Sequence, residues 1–414
     1  MRILLYTGKG GVGKTTTAAA TAVAAARHGI STLVMSTDAA HSLGDALGAT
    51  LGSTGSAGRP VGIEPHLDAL QVSTPHAVDA SWRVVQDYLL QLLSTVGVDP
   101  VVAEELTSLP GAEEVAALLE LRDRAESGRW DLVVVDCAPT AETLRLLALP
   151  EALAWHLERL LPAQRGLLRS LRPAAAAASG IPLPGLEVVE TVRGWLTRMR
   201  EVQRLLTGDQ ASVRLVLTPE RVVIAESRRT WTSLSLYGFV VDQVVVNRVF
   251  PDATADGGER PDPWRMAWND AQRDGLSQVA ESFAGVPLTT TPYLAHEPVG
   301  PDALAALADA RTGDEPATLL DPVSRRGMVV RRVGEDFVLS LPLPLVEAGE
   351  VDLKRRDSEL LVSVGGHRRV LTLPSALTRC LVRSAAVKDG TLRVRFTPDA
   401  RVWPVASRAQ VGRG

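Results

Sequence analysis

Lysine is rare in this chain of 414 residues: only Lys9, Lys14, Lys354 and Lys388 occur among 44 basic residues. Two of the four stand together in the stretch GKGGVGKTT, residues 8–16. Gly8, Gly13, Lys14 and Thr15 fit G-x-x-x-x-G-K-[ST], a phosphate-binding pattern. Its glycines let backbone N–H groups along Gly10, Gly11, Val12 and Gly13 turn toward phosphate oxygens. The helix that follows adds its positive N-terminal end, and Lys14 reaches the outer phosphates. The Thr15 hydroxyl is of the right type to ligate Mg²⁺, and Thr16 continues the cradle. Asp136, at the end of the apolar run LVVV, is the carboxylate that can complete a Mg²⁺ site through water. Lys9 is then surplus to its own loop. Either it is a solvated surface lysine, or it serves a phosphate bound across a two-fold axis, as an arginine finger does in trans.

These residues need a rigid frame. The run before the loop, residues 2–7, reads as a short buried strand, and KTTTAAATAVAAARHG reads as a helix of strong formers ended by Gly29. Residues 31–37, 131–139, 212–219, 240–249 and 286–293 are further β-branched apolar runs of the kind buried on both faces of a parallel sheet. Helical segments alternate with them, so the expected core is a doubly wound, mostly parallel α/β domain spanning 1–311. Strand patterning vanishes at about 74–127 and 150–207, where helical periodicity predicts an inserted helical subdomain. Apolar stripes run through the second insert, at Leu157, Leu160, Leu161 and Leu168 and again at Leu196 and Met199. After a polar linker, 312–325, short alternating strands predict an all-β sandwich over 326–400, with a tail at 401–414.

Composition bounds the rest. The formal charge of -4 and a hydrophobic content of 45% describe an ordinary globular protein with no global attraction to nucleic acid. Two cysteines, Cys137 and Cys380, are too few for a disulfide framework. No apolar run reaches the length of a membrane span, and the glycine loop interrupts any leader-like start, so a cytoplasmic protein is expected.

The stretches GKGGVGKTTTA, STDAAHSLGD (36–45), DCAPTAETLRLL (136–147) and VVVNRV (244–249) occur together in this order. In this the chain resembles the deviant phosphate-loop ATPases, in the branch of the arsenite-pump ATPase and the ATPase that delivers tail-anchored membrane proteins. The resemblance implies a homodimer that binds ATP and Mg²⁺, with Lys9 acting in trans. It also implies that Asp38 orients the attacking water, that Asp136 opens the second switch and that Asn247 reads adenine, with Pro292 and Tyr293 beside the base. A carboxylate at a strand end facing the loop suits the Asp38 role, since it can accept a hydrogen bond from a water in line with the terminal phosphorus. Ala39 and Ala141-Glu142 depart from the family pattern. The stretch after Asn247 lacks the C-x-x-C that binds zinc in some members, so zinc is not expected. Residues 326–398 are similar to the α-crystallin domain of small heat-shock proteins.

The leading expectation is a nucleotide-switched homodimeric ATPase that binds a hydrophobic polypeptide or membrane-protein client along those leucine stripes. An arsenite-efflux ATPase is the alternative, disfavoured because a soft As(III) ion needs about three thiolates. An ATPase positioned on DNA or membrane surfaces would require a basic face or an amphipathic terminal helix. A purely passive heat-shock-like binder would not need the intact phosphate-loop set.

Overall fold

The computed structural model describes residues 1–37, 42–51, 59–72, 76–95, 98–99, 112–137, 185–252, 262–312, 318–323 and 327–403. Strand β1 (Arg2–Thr7) leads through the glycine loop into α1 (Lys14–Arg27), followed by β2 (Thr32–Ser36) and α2 (Ser42–Leu47). A short hairpin, β3 (Val61–Glu64) and β4 (Leu67–Gln71), precedes α3 (His76–Thr95), α4 (Ala112–Glu126) and β5 (Leu132–Asp136). Then come α5 (Leu186–Leu206), β6 (Ala211–Leu217), α6 (Arg221–Leu236), β7 (Val241–Val249), α7 (Pro263–Ser282), β8 (Leu288–Pro292) and α8 (Pro301–Asp309).

The eight strands form one sheet in the order β3-β4-β2-β5-β1-β6-β7-β8, parallel except where β3 pairs with β4. The central strands β1, β2, β5 and β6 are buried at every position, in keeping with their mainly aliphatic and β-branched sequences, and the few polar residues among them are buried too. The β3–β4 hairpin was not foreseen. It turns at His66, whose φ is 64°; Glu64 and Asp68 interrupt its apolar pattern, and β3, the edge strand, is only partly buried.

Helix α1 is anchored from below by a buried polar string. Arg214 donates to the Tyr6 hydroxyl (3.1 Å), which shares a hydrogen bond with Thr21 Oγ1 (2.7 Å). Arg311, just beyond α8, donates to Thr21 Oγ1 (2.9 Å) and to the Thr17 carbonyl (3.3 Å). Thr17 Oγ1 in turn donates to the Gly13 carbonyl (2.7 Å), so the string ends on the phosphate loop.

Helix α5 packs against α3 and α4, and its stripe faces inward. Leu196, Met199, Val202 and Leu206 are all buried, and the last three belong to the main core. Leu196 and Met199, expected among the candidate client-surface positions, are thus buried in this structure; periodicity identifies an apolar face but not what covers it. Leu157, Leu160, Leu161 and Leu168 lie outside the described residues.

The chain ends in β9 (Val329–Val333), β10 (Asp336–Pro342), β11 (Val351–Arg356), β12 (Glu359–Val364), β13 (His367–Thr372), a single helical turn α9 (Ser375–Thr378), β14 (Cys380–Lys388) and β15 (Thr391–Pro398). These make a four-stranded antiparallel sheet, β14-β15-β10-β9, and a three-stranded one, β11-β12-β13. A second core around Leu339, Leu360, Val362, Val394 and Phe396 lies within this β region. Strand β14 escaped sequence reading because it is an edge strand with a register slip, mostly exposed and rich in small residues. The β domain contacts the end of α6. Leu236 is fully buried in the second core, Arg369 donates to its carbonyl (2.6 Å), and Thr232 donates to the carbonyl of Pro344 (2.9 Å).

Candidate nucleotide site

The loop between β1 and α1 is shaped by what glycine lacks. A Cβ on Gly8 would overlap the Val216 carbonyl at the end of β6, and one on Gly13, whose φ is 91°, would overlap the Asn247 amide. A side chain at Gly8 would have to move the backbone of β6, and one at Gly13 would displace the Asn247 amide from the loop. Gly11 is also left-handed, at φ 81°. Gly10 and Gly11 are exposed and Val12 is buried, so the crown of the loop is open while its base is packed.

Four elements, α1, β5, α2 and β2, converge at that base. Thr15 Oγ1 donates to Asp136 Oδ2 at 2.7 Å and shares a hydrogen bond with Ser42 Oγ at 3.2 Å. Ser36 Oγ donates to the same carboxylate oxygen (3.3 Å), and Asp136 is 1% exposed. Sequence reading found Thr15 and Asp136 but missed Ser36 and Ser42, ordinary hydroxyls whose role appears only when β2 and α2 are placed beside β5. This donor set is hard oxygen, with a single carboxylate, which suits Mg²⁺ completed by water and substrate phosphate rather than an all-protein cage. The neighbouring Cys137 offers no thiolate: burial, with Asp136 adding to it and Lys14 opposing, pushes its thiol up to about 12.

The two lysines diverge. Lys14 Nζ turns back into the loop and donates to the Lys9 carbonyl at 3.4 Å. Lys9 Nζ points away and pairs with Glu226 on α6 at 3.6 Å, both side chains being about 40% exposed. Thr37 hydrogen bonds through its N–H to the Asp136 carbonyl (3.0 Å), so β2 and β5 leave the sheet together. Asp38, the next residue, lies outside the described residues, as do Ala39, Ala141 and Glu142.

On the other side of the loop, Asn247 Nδ2 donates to the Val12 carbonyl at 2.8 Å. A slip in the β7–β8 register between Val246 and Val249 lifts Asn247 and Arg248 out of the ladder, and Arg248 takes a left-handed φ of 57°. Beneath this bulge is a cleft of about 310 Å³ lined by Gly13, Thr16, Asn247, Arg248, Pro292, Tyr293 and the loop through Pro298. Tyr293 stacks on Phe250 with ring centroids 4.8 Å apart, and Phe250 leans on Trp268 at 5.5 Å. Sequence reading named Gly13, Thr16, Asn247, Pro292 and Tyr293, and the structure gathers all five around one opening. Arg248 and Phe250, which it did not name, border the same region.

A parallel sheet whose first strand feeds a glycine loop and helix, with a hydroxyl and a carboxylate beneath it and a lined cleft beside it, defines the class of phosphate-loop nucleotide-binding proteins. Comparison with known proteins narrows this. A family profile described as anion-transporting ATPase matches residues 1–311, and one described as an HSP20-like domain found in ArsA matches residues 334–396. The chain belongs to the anion-transporting (ArsA) ATPase family and carries the HSP20-like domain associated with it. It is similar along nearly its whole length to the uncharacterized protein SCO2128 of Streptomyces coelicolor, at 38% identity over 98% of this chain and 99% of the relative. A putative arsenical pump-driving ATPase of Chlorobaculum tepidum is 34% identical over 96% of both chains. The ATPase GET3C of Arabidopsis thaliana is 29% identical over 74% of this chain and 81% of its own.

Proposed function

We propose that this protein hydrolyses ATP as a nucleotide-switched homodimer and uses the switch to hold and release a hydrophobic polypeptide segment. The observation that carries the ATPase part is the convergence of the Thr15–Asp136 pair and the Asn247–Val12 bond on the two flanks of one glycine loop. Magnesium, bound by Thr15 directly and by Asp136 through water, would supply neutralisation of phosphate charge. The chain's own groups do the rest. Loop amides and Lys14 orient the phosphates, Asp38 accepts a hydrogen bond from the attacking water, and Lys9 leaves Glu226 to meet phosphate charge across the dimer axis. The Val12 carbonyl can only accept, which turns the Asn247 amide nitrogen toward it and reserves Oδ1 as an acceptor. An acceptor there favours the exocyclic amine of adenine over the carbonyl of guanine.

Asp38→Asn should bind Mg-ATP and lose turnover. Mixing it with Lys9→Ala subunits should restore part of the activity, because such heterodimers contain one intact composite site. Unaltered turnover in Asp38→Asn, or no recovery on mixing, would overturn this assignment. The client part rests on the resemblance, carried by the sequence motifs, to the ATPase that delivers tail-anchored membrane proteins and on the attached HSP20-like domain.

An arsenite-linked role is the second reading, favoured by the names of relatives such as that of Chlorobaculum tepidum. Against it stand the count of only two cysteines, Cys137 and Cys380, and the placement of Cys380 in the separate β core. Arsenite should therefore leave ATP turnover unchanged, and stimulation lost in Cys137→Ala would favour this second reading instead.

A further inference from the structure

The β domain presents a face that the nucleotide cycle does not use. Cross-strand register in the four-stranded sheet fixes which side chains share its outer surface. Arg395 of β15 lies opposite Val338 of β10 and Ser384 of β14, and Val338 lies opposite Arg331 of β9. One row along, Arg393 is opposite Ser340 and Ala386, and Ser340 is opposite Val329. Lys388 shares this parity through Thr391, and the bulged Arg383 reaches the same side, pairing with Asp336 at 3.4 Å. Asp336 is the one carboxylate in the outward register of these four strands. It is fixed by a bond from the Thr397 hydroxyl (2.7 Å) and lies 3.9 Å from Arg395. Five cations therefore face outward against one carboxylate. Beside them lie Val329, Val333 and Leu381, exposed at 40%, 52% and 53%. The contacts with α6 described above involve β13 and the loop after β10, on other parts of the domain.

We infer that this sheet face is a peripheral docking surface for an anionic lipid bilayer. Guanidinium groups match lipid phosphates in geometry as well as charge. Aliphatic side chains between them gain from contact with the acyl boundary and gain nothing from a nucleic-acid backbone. A nucleic-acid platform would offer aromatic rings for stacking, and none occupies the outward positions of these strands. The charge of the whole chain orients the encounter. Residues 1–312 contain 27 lysines and arginines against 36 aspartates and glutamates, whereas residues 325–414 contain 17 against 9. An anionic surface thus attracts the β domain and repels the ATPase region, holding the nucleotide site away from the lipid. A basic face is also the mark that sequence reading required of an ATPase acting at surfaces. The inference goes beyond the proposed ATPase cycle and stands apart from it.

Flotation of the full-length protein with liposomes tests it, using phosphatidylcholine alone and phosphatidylcholine with about one-third phosphatidylserine. Binding should be confined to the anionic vesicles, and raising NaCl to about 0.5 M should weaken it at least tenfold. The triple variant Arg331→Gln, Arg393→Gln, Arg395→Gln should bind at least tenfold more weakly at unchanged thermal midpoint and ATP turnover. Val329→Ser with Val333→Ser should lose severalfold while keeping all the charge. Equal binding to both vesicle types, or no binding to either, overturns the inference. So does tighter binding to a duplex oligonucleotide that ignores the two valines, or a salt-sensitive self-association of the wild type that the triple variant lacks. Turnover measured on the same samples separates failure here from failure of the ATPase reading.

Discussion

The phosphate-loop site and the basic sheet face are made in opposite ways. The site is built from backbone: glycines pressed against Val216 and Asn247, amides at a helix start, and a carboxylate that is 1% exposed. The sheet face is built from side-chain tips, with Arg393 and Arg395 projecting from a strand whose alternate residues Leu392, Val394 and Phe396 form the core beneath. Atoms at the base of the first have little slack, so one added methyl meets the backbone of β6 at Gly8 or the Asn247 amide at Gly13. Charges in the second sum over a surface, so each contributes little and the set contributes much. Interior precision and surface summation therefore fail differently under mutation, and this contrast can be attacked directly.

The largest effect is expected at the loop. Lys14→Ala should reduce turnover by about a thousandfold, since positioning and charge provide nearly all phosphoryl-transfer catalysis. Gly13→Ala should lose nucleotide affinity by about two orders of magnitude, read with a fluorescent ATP analogue, because overpacking and a left-handed backbone together cost about 2–4 kcal/mol. Retained affinity in Gly13→Ala would show that the loop has slack after all.

Next in size is the packed stripe of α5. Leu196→Ser or Met199→Ser should each destabilise the fold by about 3 kcal/mol in denaturant unfolding, combining a cavity with a buried hydroxyl. Arg393→Gln should change stability by less than about 0.5 kcal/mol. Exchange of these two outcomes would return α5 to the surface and put the arginine in the interior.

Asn247→Leu should lower the preference for ATP over GTP by about tenfold or more, measured as a kcat/KM ratio, since it removes a directed acceptor. Cys137 gives a pH test: with its thiol raised to about 12, the neutral form persists through pH 9, and alkylation by iodoacetamide in the folded protein should become fast only well above that. Fast alkylation at pH 8 would mean that β5 ends in a more open environment than described. A small effect is also expected at the rim. Glu226→Gln should alter stability by under about 1 kcal/mol, because the pair with Lys9 is well exposed. Any gain in ATP turnover or dimer formation would then report the release of Lys9.

What could be read in the sequence follows the same division. Strands β1, β5, β6 and β7 were legible because burial on both faces leaves a run of three or more consecutive apolar residues in each, and the loop was legible because its chemistry demands glycine and lysine at fixed spacing. Asn247 was found through resemblance, whereas its bond to Val12, 235 residues away, leaves no local mark. Strands β3 and β14 escaped because edge strands need only part of the apolar pattern. The burial of Leu196 and Met199 could not be read from their spacing, because a stripe at helical period is the same whether a core or a client covers it. The outward arginines of β15 are visible as alternation, but their alignment with Arg331 depends on pairing across β10, which sequence spacing does not specify.

Leu236 carries a consequence for the modularity of the chain. It ends a helix of the ATPase region, yet its side chain completes the core of the β domain. Severing the chain in the linker would not return two whole parts. It would leave an aliphatic side chain bare at the tip of α6 and a vacancy of one leucine in the β core, so each fragment should be stickier than its sequence alone suggests. Gain or loss of this appendage in descent therefore requires a matching change at one residue in the middle of the ATPase, and a chain that lacks the β domain should carry a polar or differently covered residue at that helix end.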